Sequence, residues 1–397
     1  MNFKLTARGK HQLFTSYGVF IINGMLALSI GSLLPFIRDA RGLDYVFAGL
    51  LVSLHSIGNL ASSFLAGPVA RKIGRKKGIL CFNIFYAISF LLLIVGKSNP
   101  ILAIAFFLTG FARGATSNFC NSVVNDLAPG KASILNGLHA MFSVGAFLFP
   151  LVLTLITAGG AERYVYALIM MMILGIVSFL LYLMIPDPDV AGEAKEEETP
   201  EVKEGGFGFF KEGIFWLVVL TLFFYLCAEQ GVIGWMVTYF SDTGFIDGKL
   251  SQITASVLWI MILAGRLTVA WASTRMDKRK LLPYMGIGIV LFFVALLFAR
   301  QTALIVICIM GFGFSMAGIY PTVVSFTGDL IHKYSLAWSF VLTMASLGSI
   351  IMPSVIGSIA ENAGIYVGMS SVAVVVILDF ALILILTAYA GKKAQNK

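Results

Sequence analysis

Twelve long apolar stretches run through this 397-residue chain, the first over 13–37 and the last over 363–390. About 20 apolar residues suffice for a helix to cross the hydrocarbon core of a bilayer. In lipid such a segment must satisfy its own backbone groups, which a helix does. The strands of a membrane barrel would instead be about 10 residues long with alternating polarity, whereas these runs are apolar on every face. They predict an all-α membrane protein with twelve transmembrane helices. Composition agrees, since only 12% of the residues are charged where a soluble domain carries about 25%. Lys4, Arg8 and Lys10 before the first run give it the look of a signal peptide. It is too long for that and no A-x-A cleavage pattern follows, so it reads as a retained span.

The runs repeat. Gly145-Ala-Phe-Leu-Phe-Pro150 returns as Gly348-Ser-Ile-Ile-Met-Pro353, and Arg71-Lys-Ile-Gly-Arg75-Lys76 returns at nearly the same offset as Arg275-Met-Asp-Lys-Arg279-Lys280. Two unrelated patterns sharing one offset imply two copies of one unit. The expected organisation is two pseudo-symmetric six-helix bundles, 1–185 and 214–397, joined by a linker at 186–213. Duplicated bundles of membrane helices are how two-lobed transporters are built, with the substrate site between the lobes. Gly145–Pro150 and Gly348–Pro353 read as helix-packing and kinking devices, and hinging needs the same residues.

The net charge of +8 does not point to nucleic acid, because the cations sit in short clusters between apolar runs. With a cytoplasmic N-terminus, twenty of the 28 Lys and Arg fall in inner segments and six in outer loops; Arg113 and Arg266 lie inside spans. The positive-inside rule then places both termini in the cytoplasm of a multi-pass inner-membrane protein. The linker contains the acidic run Glu193–Glu204 and reads as a solvated tether. Cys81, Cys120, Cys227 and Cys308 lie within apolar runs, without metal-ligand spacing, and read as reduced, inert thiols. No P-loop, dinucleotide-binding glycine motif, HExxH or nucleophile elbow is present, which argues against ATP drive, cofactors, metal and enzyme chemistry.

The loop after the second span, Gly67-Pro-Val-Ala-Arg-Lys-Ile-Gly-Arg-Lys-Lys77, resembles the signature of the major facilitator superfamily. Gly67, Arg71, Gly74, Arg75 and Lys76 fit that pattern, with Arg275 and Arg279 as their echo. In the family this cluster latches the cytoplasmic side during the transport cycle, whereas topological anchoring alone is the plainer reading. Ala70 stands where the signature has Asp. Further segments are Gly110-Phe-Ala-Arg-Gly, Asn118-Phe-Cys-Asn121, Leu135-Asn-Gly-Leu138-His139, Cys227-Ala-Glu229-Gln-Gly-Val-Ile-Gly-Trp235, Gly265-Arg266-Leu267 and Ala317-Gly-Ile-Tyr320-Pro321. Together they resemble the fucose permease branch, the fucose-galactose-glucose:proton symporters. That branch's two N-terminal carboxylates fall on Gly31 and Ser117 here, so a coupled proton would need another group.

Glu229 is the most central membrane acid, and an ionisable residue there is a functional candidate by default. It can carry the proton or accept hydrogen bonds from substrate hydroxyls; the structural alternative pairs it with Arg266 or Arg113. Gln230 joins it as a candidate. Asn118, Asn121 and Asn125 form one helical stripe suited to a polyhydroxylated ligand, or to interhelical bonding. His139 and Asn23 are further polar candidates, while His55 reads more readily as a satisfied core histidine. Trp235, Trp259 and Tyr320 can stack on a sugar face or simply pack. Asp379 reads as structural and Asp126 as locally paired. The expectation is a monomeric secondary transporter in membrane lipid, importing a monosaccharide or similar small polar solute by alternating access. Proton coupling is left open by the residues. The alternatives are an exporter of drugs or other amphipathic compounds, and a non-transporting membrane sensor.

Overall fold

The structure, a computed structural model, describes residues 5–128, 131–185, 206–334 and 336–395. Residues 186–205 of the expected linker lie outside the described residues. The chain divides into two compact units, Met1–Gly42 with Leu50–Thr199, and Leu43–Gly49 with Pro200–Lys397. The helices that build the first unit are α1 (Ala7–Arg41), α2 (Tyr45–Ile73), α3 (Arg75–Val95), α4 (Asn99–Leu127), α5 (Ala132–Thr157) and α6 (Tyr164–Met184). The second unit is built from α7 (Gly213–Thr243), α8 (Gly248–Ala272), α9 (Lys278–Phe298), α10 (Thr302–Met316), the short α11 (Ile319–Val324) and α12 (Gly328–Lys333), α13 (Ala337–Ala363) and α14 (Ile365–Gln395). Among the described residues, twelve spans are long and apolar enough to cross a membrane.

Helix ends carry local signals. The Thr6 hydroxyl accepts from Gly9 N–H at 3.0 Å and starts α1; Gly42 and Gly244 close α1 and α7 at φ of 61° and 64°, a left-handed turn that glycine adopts at no steric cost. Asp277 caps α9 by accepting from Arg279 N–H at 2.8 Å. The Arg279 side chain and backbone N–H hold the Asp277 carboxyl down at about 2, so this cap stays ionised well below neutral pH. Outside the bundles, apolar side chains such as Phe14, Leu155, Met184 and Phe298 are largely exposed. In water that would be costly, whereas in lipid it is the expected surface.

Lipid tails are as apolar as leucine, so helices in a membrane gain most by close packing, and small residues allow it. Here the packing follows the repeat. A Cβ on Gly145 would lie 1.9 Å from the Ile21 carbonyl oxygen, and one on Gly348 2.2 Å from that of Phe223. These contacts hold α5 on α1 and α13 on α7. Likewise a Cβ on Gly110 would sit 1.7 Å from His55 O, and one on Gly313 2.7 Å from Leu258 O, bringing α4 onto α2 and α10 onto α8. A third pair exchanges its members: Gly114 faces Ser62, while Gly265 faces Ala317. The duplication is therefore a duplication of backbone-to-backbone contacts. Overpacking a core commonly costs about 1–3 kcal/mol, and a rigid carbonyl cannot move aside as a side chain does. Gly145→Leu and Gly348→Leu are each expected to lower the thermal unfolding midpoint in detergent, whereas Gly391→Leu, with open space around it, is expected to leave it unchanged.

Candidate functional site

In the second unit the tenth span is not one helix. Pro321 has no N–H to give the carbonyl of Ala317, and its ring clashes there. The helix accordingly breaks at Ala317–Gly318, between α10 and α11. Tyr320 follows the break directly, and its ring centroid lies 6.1 Å from that of Tyr225 on α7. The Tyr225 hydroxyl donates to Glu229 Oε1 at 3.0 Å, one helical turn along, and Gln230 Nε2 approaches Oε2 at 3.4 Å. Arg266 on α8 lies within electrostatic reach of Tyr225. Glu229 sits near the middle of the 31-residue α7, and its side chain is half-buried, as are those of Gln230 and Tyr320. A carboxylate accepts about four hydrogen bonds, so Glu229 retains capacity for ligand hydroxyls, with two tyrosine rings beside it.

The polar residues of the first unit are arranged differently. Asn23 is fully buried; its amide donates to Ser117 Oγ at 2.8 Å while Tyr86 O–H donates to its carbonyl oxygen. Asn83 on α3 donates to Ser178 Oγ at 3.0 Å, and Cys120 Sγ meets the Tyr182 hydroxyl at 2.7 Å. His55 Nδ1 lies 2.8 Å from Thr109 Oγ1. The Thr109 hydroxyl gives its one proton to Phe106 O at 2.6 Å, so His55 Nδ1 is the donor and His55 is a satisfied core histidine. Asn121 donates back to Ser117 O at 2.8 Å. Asn118 and His139 are exposed; Asn118 reaches Ser63 O at 3.5 Å, and the His139 ring lies edge-on to Phe20. The half-buried Arg113 guanidinium stands 5.9 Å from the Phe142 ring.

Three sequence candidates thus occupy places a ligand does not reach in this conformation. Asn23 is enclosed in its own network. Trp235 is fully buried, its indole N–H donating to Pro353 O at 3.0 Å, and Trp259 is only 5% exposed. The hydrogen bonds that Glu229 makes here come from a hydroxyl and an amide. The sequence reading missed Tyr225 and the helix break. Both had signals: Tyr225 stands at i−4 from Glu229, and Gly318 and Pro321 lie within one apolar run.

Residues 16–335 match the model of the Major Facilitator Superfamily. The chain belongs to this superfamily. It is therefore a transporter by family, not an enzyme, and a multi-pass membrane protein. It is 23% identical over 386 residues to the TsgA homolog of Yersinia enterocolitica, covering 96% of each chain. Its fold matches that of a mutant of the nucleoside transporter NupG with a TM-score of 0.77 at 15% identity, over 96% of this chain and 98% of that one. It matches the D-xylose-proton symporter with a TM-score of 0.76 at 14% identity, over 95% and 96%.

The superfamily signature takes a modified form here. Arg75, heading α3 after Gly74 at φ 89°, pairs with Asp126 at the end of α4 at 2.6 Å. Arg75 thus finds its carboxylate on another helix of the same unit. Arg71 is exposed and Lys76 half-buried. In the second unit Arg279 pairs with Asp277 at 2.6 Å, and the Arg275 guanidinium lies 4.2 Å from the Trp271 ring centroid. The functional weight of the tyrosine-carboxylate cluster is open to test: Glu229→Gln is expected to abolish solute accumulation, while Tyr225→Phe, which removes one neutral-to-charged hydrogen bond of about 1.5–3 kcal/mol, is expected to weaken apparent solute affinity by about tenfold or more. Equal uptake by both variants and the parent would remove the cluster from the site.

Proposed function

We propose that this superfamily member is a secondary active transporter importing a small polyhydroxylated solute, a monosaccharide or a sugar-bearing molecule such as a nucleoside, by alternating access. The observation that carries the reading is the half-buried Glu229, held by Tyr225 beside the broken tenth span. Discontinuous membrane helices with an ionisable group at mid-depth are where transporters of several folds bind substrate and coupling ion. Tyrosine faces beside a carboxylate suit the apolar and hydroxylated sides of a sugar ring. The substrates for which the structural neighbours are named, a nucleoside and D-xylose, are of the same chemical class. Glu229 is the proton-coupling group and Gln230 and Tyr320 its companions at the solute. Within the first unit, Asn118, Asn121 and His139 are the residues that meet solute. Arg71, Arg75 and Lys76, with Arg275 and Arg279, form the cytoplasmic latch, and Asp126 takes over the role of the missing signature Asp. The protein works as a monomer in the inner membrane with both termini in the cytoplasm.

A polar site disfavours export of amphipathic compounds, which calls for a large apolar cavity. A thermal-shift screen of the purified protein against monosaccharides, uronates and nucleosides separates the readings. A true solute at a hundred times its Kd stabilises the folded state by about 2.7 kcal/mol, and the same solute is expected to undergo counterflow in proteoliposomes. Stabilisation by lipophilic cations alone would favour the exporter, and tight binding without counterflow would favour the sensor.

A further inference from the structure

Asp379 is the middle residue of the span Ile365–Lys393. At a rise of about 1.5 Å per residue, roughly 20 Å of helix separates it from either end. Its side chain is 0% exposed, and neither carboxyl oxygen has a hydrogen-bond partner among the described residues. Helix α14 packs against α7, α9 and α13. From α7, Tyr225 and Cys227 lie within electrostatic reach of Asp379, and Tyr225 is in turn bonded to Glu229. Past Lys280, α9 carries one ionisable side chain, Tyr284, which is exposed. Helix α13 carries none from Ala337 to Ala360. Among the described residues of these three helices, no cation therefore faces the carboxyl. One repeat period earlier stands Ile176, so the scaffold does not require an acid at this place.

A structural aspartate in a membrane helix comes with a partner that offsets its desolvation. Asp379 has none, and the structural reading of it fails on that point. We propose that Asp379 is a second proton-binding site, beside Glu229, that holds a proton in this conformation and releases it during the transport cycle. This rests on the reading of the chain as a proton-coupled solute transporter. Release breaks the carboxyl O–H bond to an entering water; the proton leaves as hydronium and a carboxylate remains. Re-protonation from water on the opposite side reverses the step. Tyr225 supplies the link to the solute site, because its hydroxyl has one proton to donate. While Asp379 is neutral that proton goes to Glu229. The negative charge of a newly formed Asp379 carboxylate acts on that hydroxyl and so on its bond to Glu229.

Infrared spectroscopy of the purified protein at neutral pH tests the site without any substrate. The expected result is a protonated-carboxyl C=O band that shifts in D2O, disappears in Asp379→Asn and persists in Glu229→Gln. A spectrum unchanged by Asp379→Asn overturns the proposal. In proteoliposomes, with D-xylose and uridine as probes, absence of counterflow by the parent chain counts against the functional reading for these solutes, while the infrared result still decides Asp379. Where counterflow occurs, Asp379→Asn is expected to keep it but lose accumulation driven by a pH gradient, and Asp379→Glu to restore that accumulation. Gradient-driven accumulation by Asp379→Asn equal to the parent also overturns the proposal. A monodisperse elution profile identifies variants that have folded.

Discussion

Backbone-to-backbone approach at glycine is the contact on which both units depend. In lipid no hydrophobic drive pushes helices together, and an interhelical hydrogen bond between side chains contributes only about 0.6 kcal/mol on average. What remains is dispersion over close surfaces, which grows with every ångström removed from the interaxial distance. Gly145 on Ile21 and Gly348 on Phe223, with Gly110 on His55 and Gly313 on Leu258, remove that distance at matching places in the two copies. The apolar surface needed to face lipid can then be almost any large hydrophobe.

Once the scaffold is carried by glycines, polar residues are released for other work, and the copies use them differently. The first unit spends Asn23, Tyr86, Asn83, Ser117 and Ser178 on bonds to one another. Their counterparts one period later include Ile289 and Gly286, so this network is particular to one copy. The second unit places Glu229, Tyr225 and Tyr320 beside a helix break that the first lacks. A symmetric frame with asymmetric polar content is what a carrier of an asymmetric solute needs.

Much of the frame was legible in the sequence because its determinants are local. Apolar run length gives the spans, and the repeated Gly-to-Pro segments mark the helices that pack closest. The signature loop and the five-helix resemblance point to the superfamily. The site was less legible, because it depends on which face of a helix meets a neighbour. Glu229 and Tyr320 were identified from residue type and motif, yet Tyr225, which joins them, looked like one more aromatic in an apolar run. Nor was it legible that Trp235 and Asn23 are buried in hydrogen bonds of their own. Their partners, Pro353 and Tyr86, lie 118 and 63 residues away in the chain, and a span's own sequence does not say which side turns inward. Asp126 shows the converse: its local pairing was legible from its place at the end of α4, and its partner is Arg75.

The central claim is that solute binding and proton movement meet at the carboxylate of the second unit. Its most direct test is the pH inside proteoliposomes, followed with an entrapped dye while a counterflow-active solute is added outside. The account predicts that the solute acidifies the lumen with the parent chain and leaves it unchanged with Glu229→Gln. Solute uptake that proceeds with no change in luminal pH would contradict it.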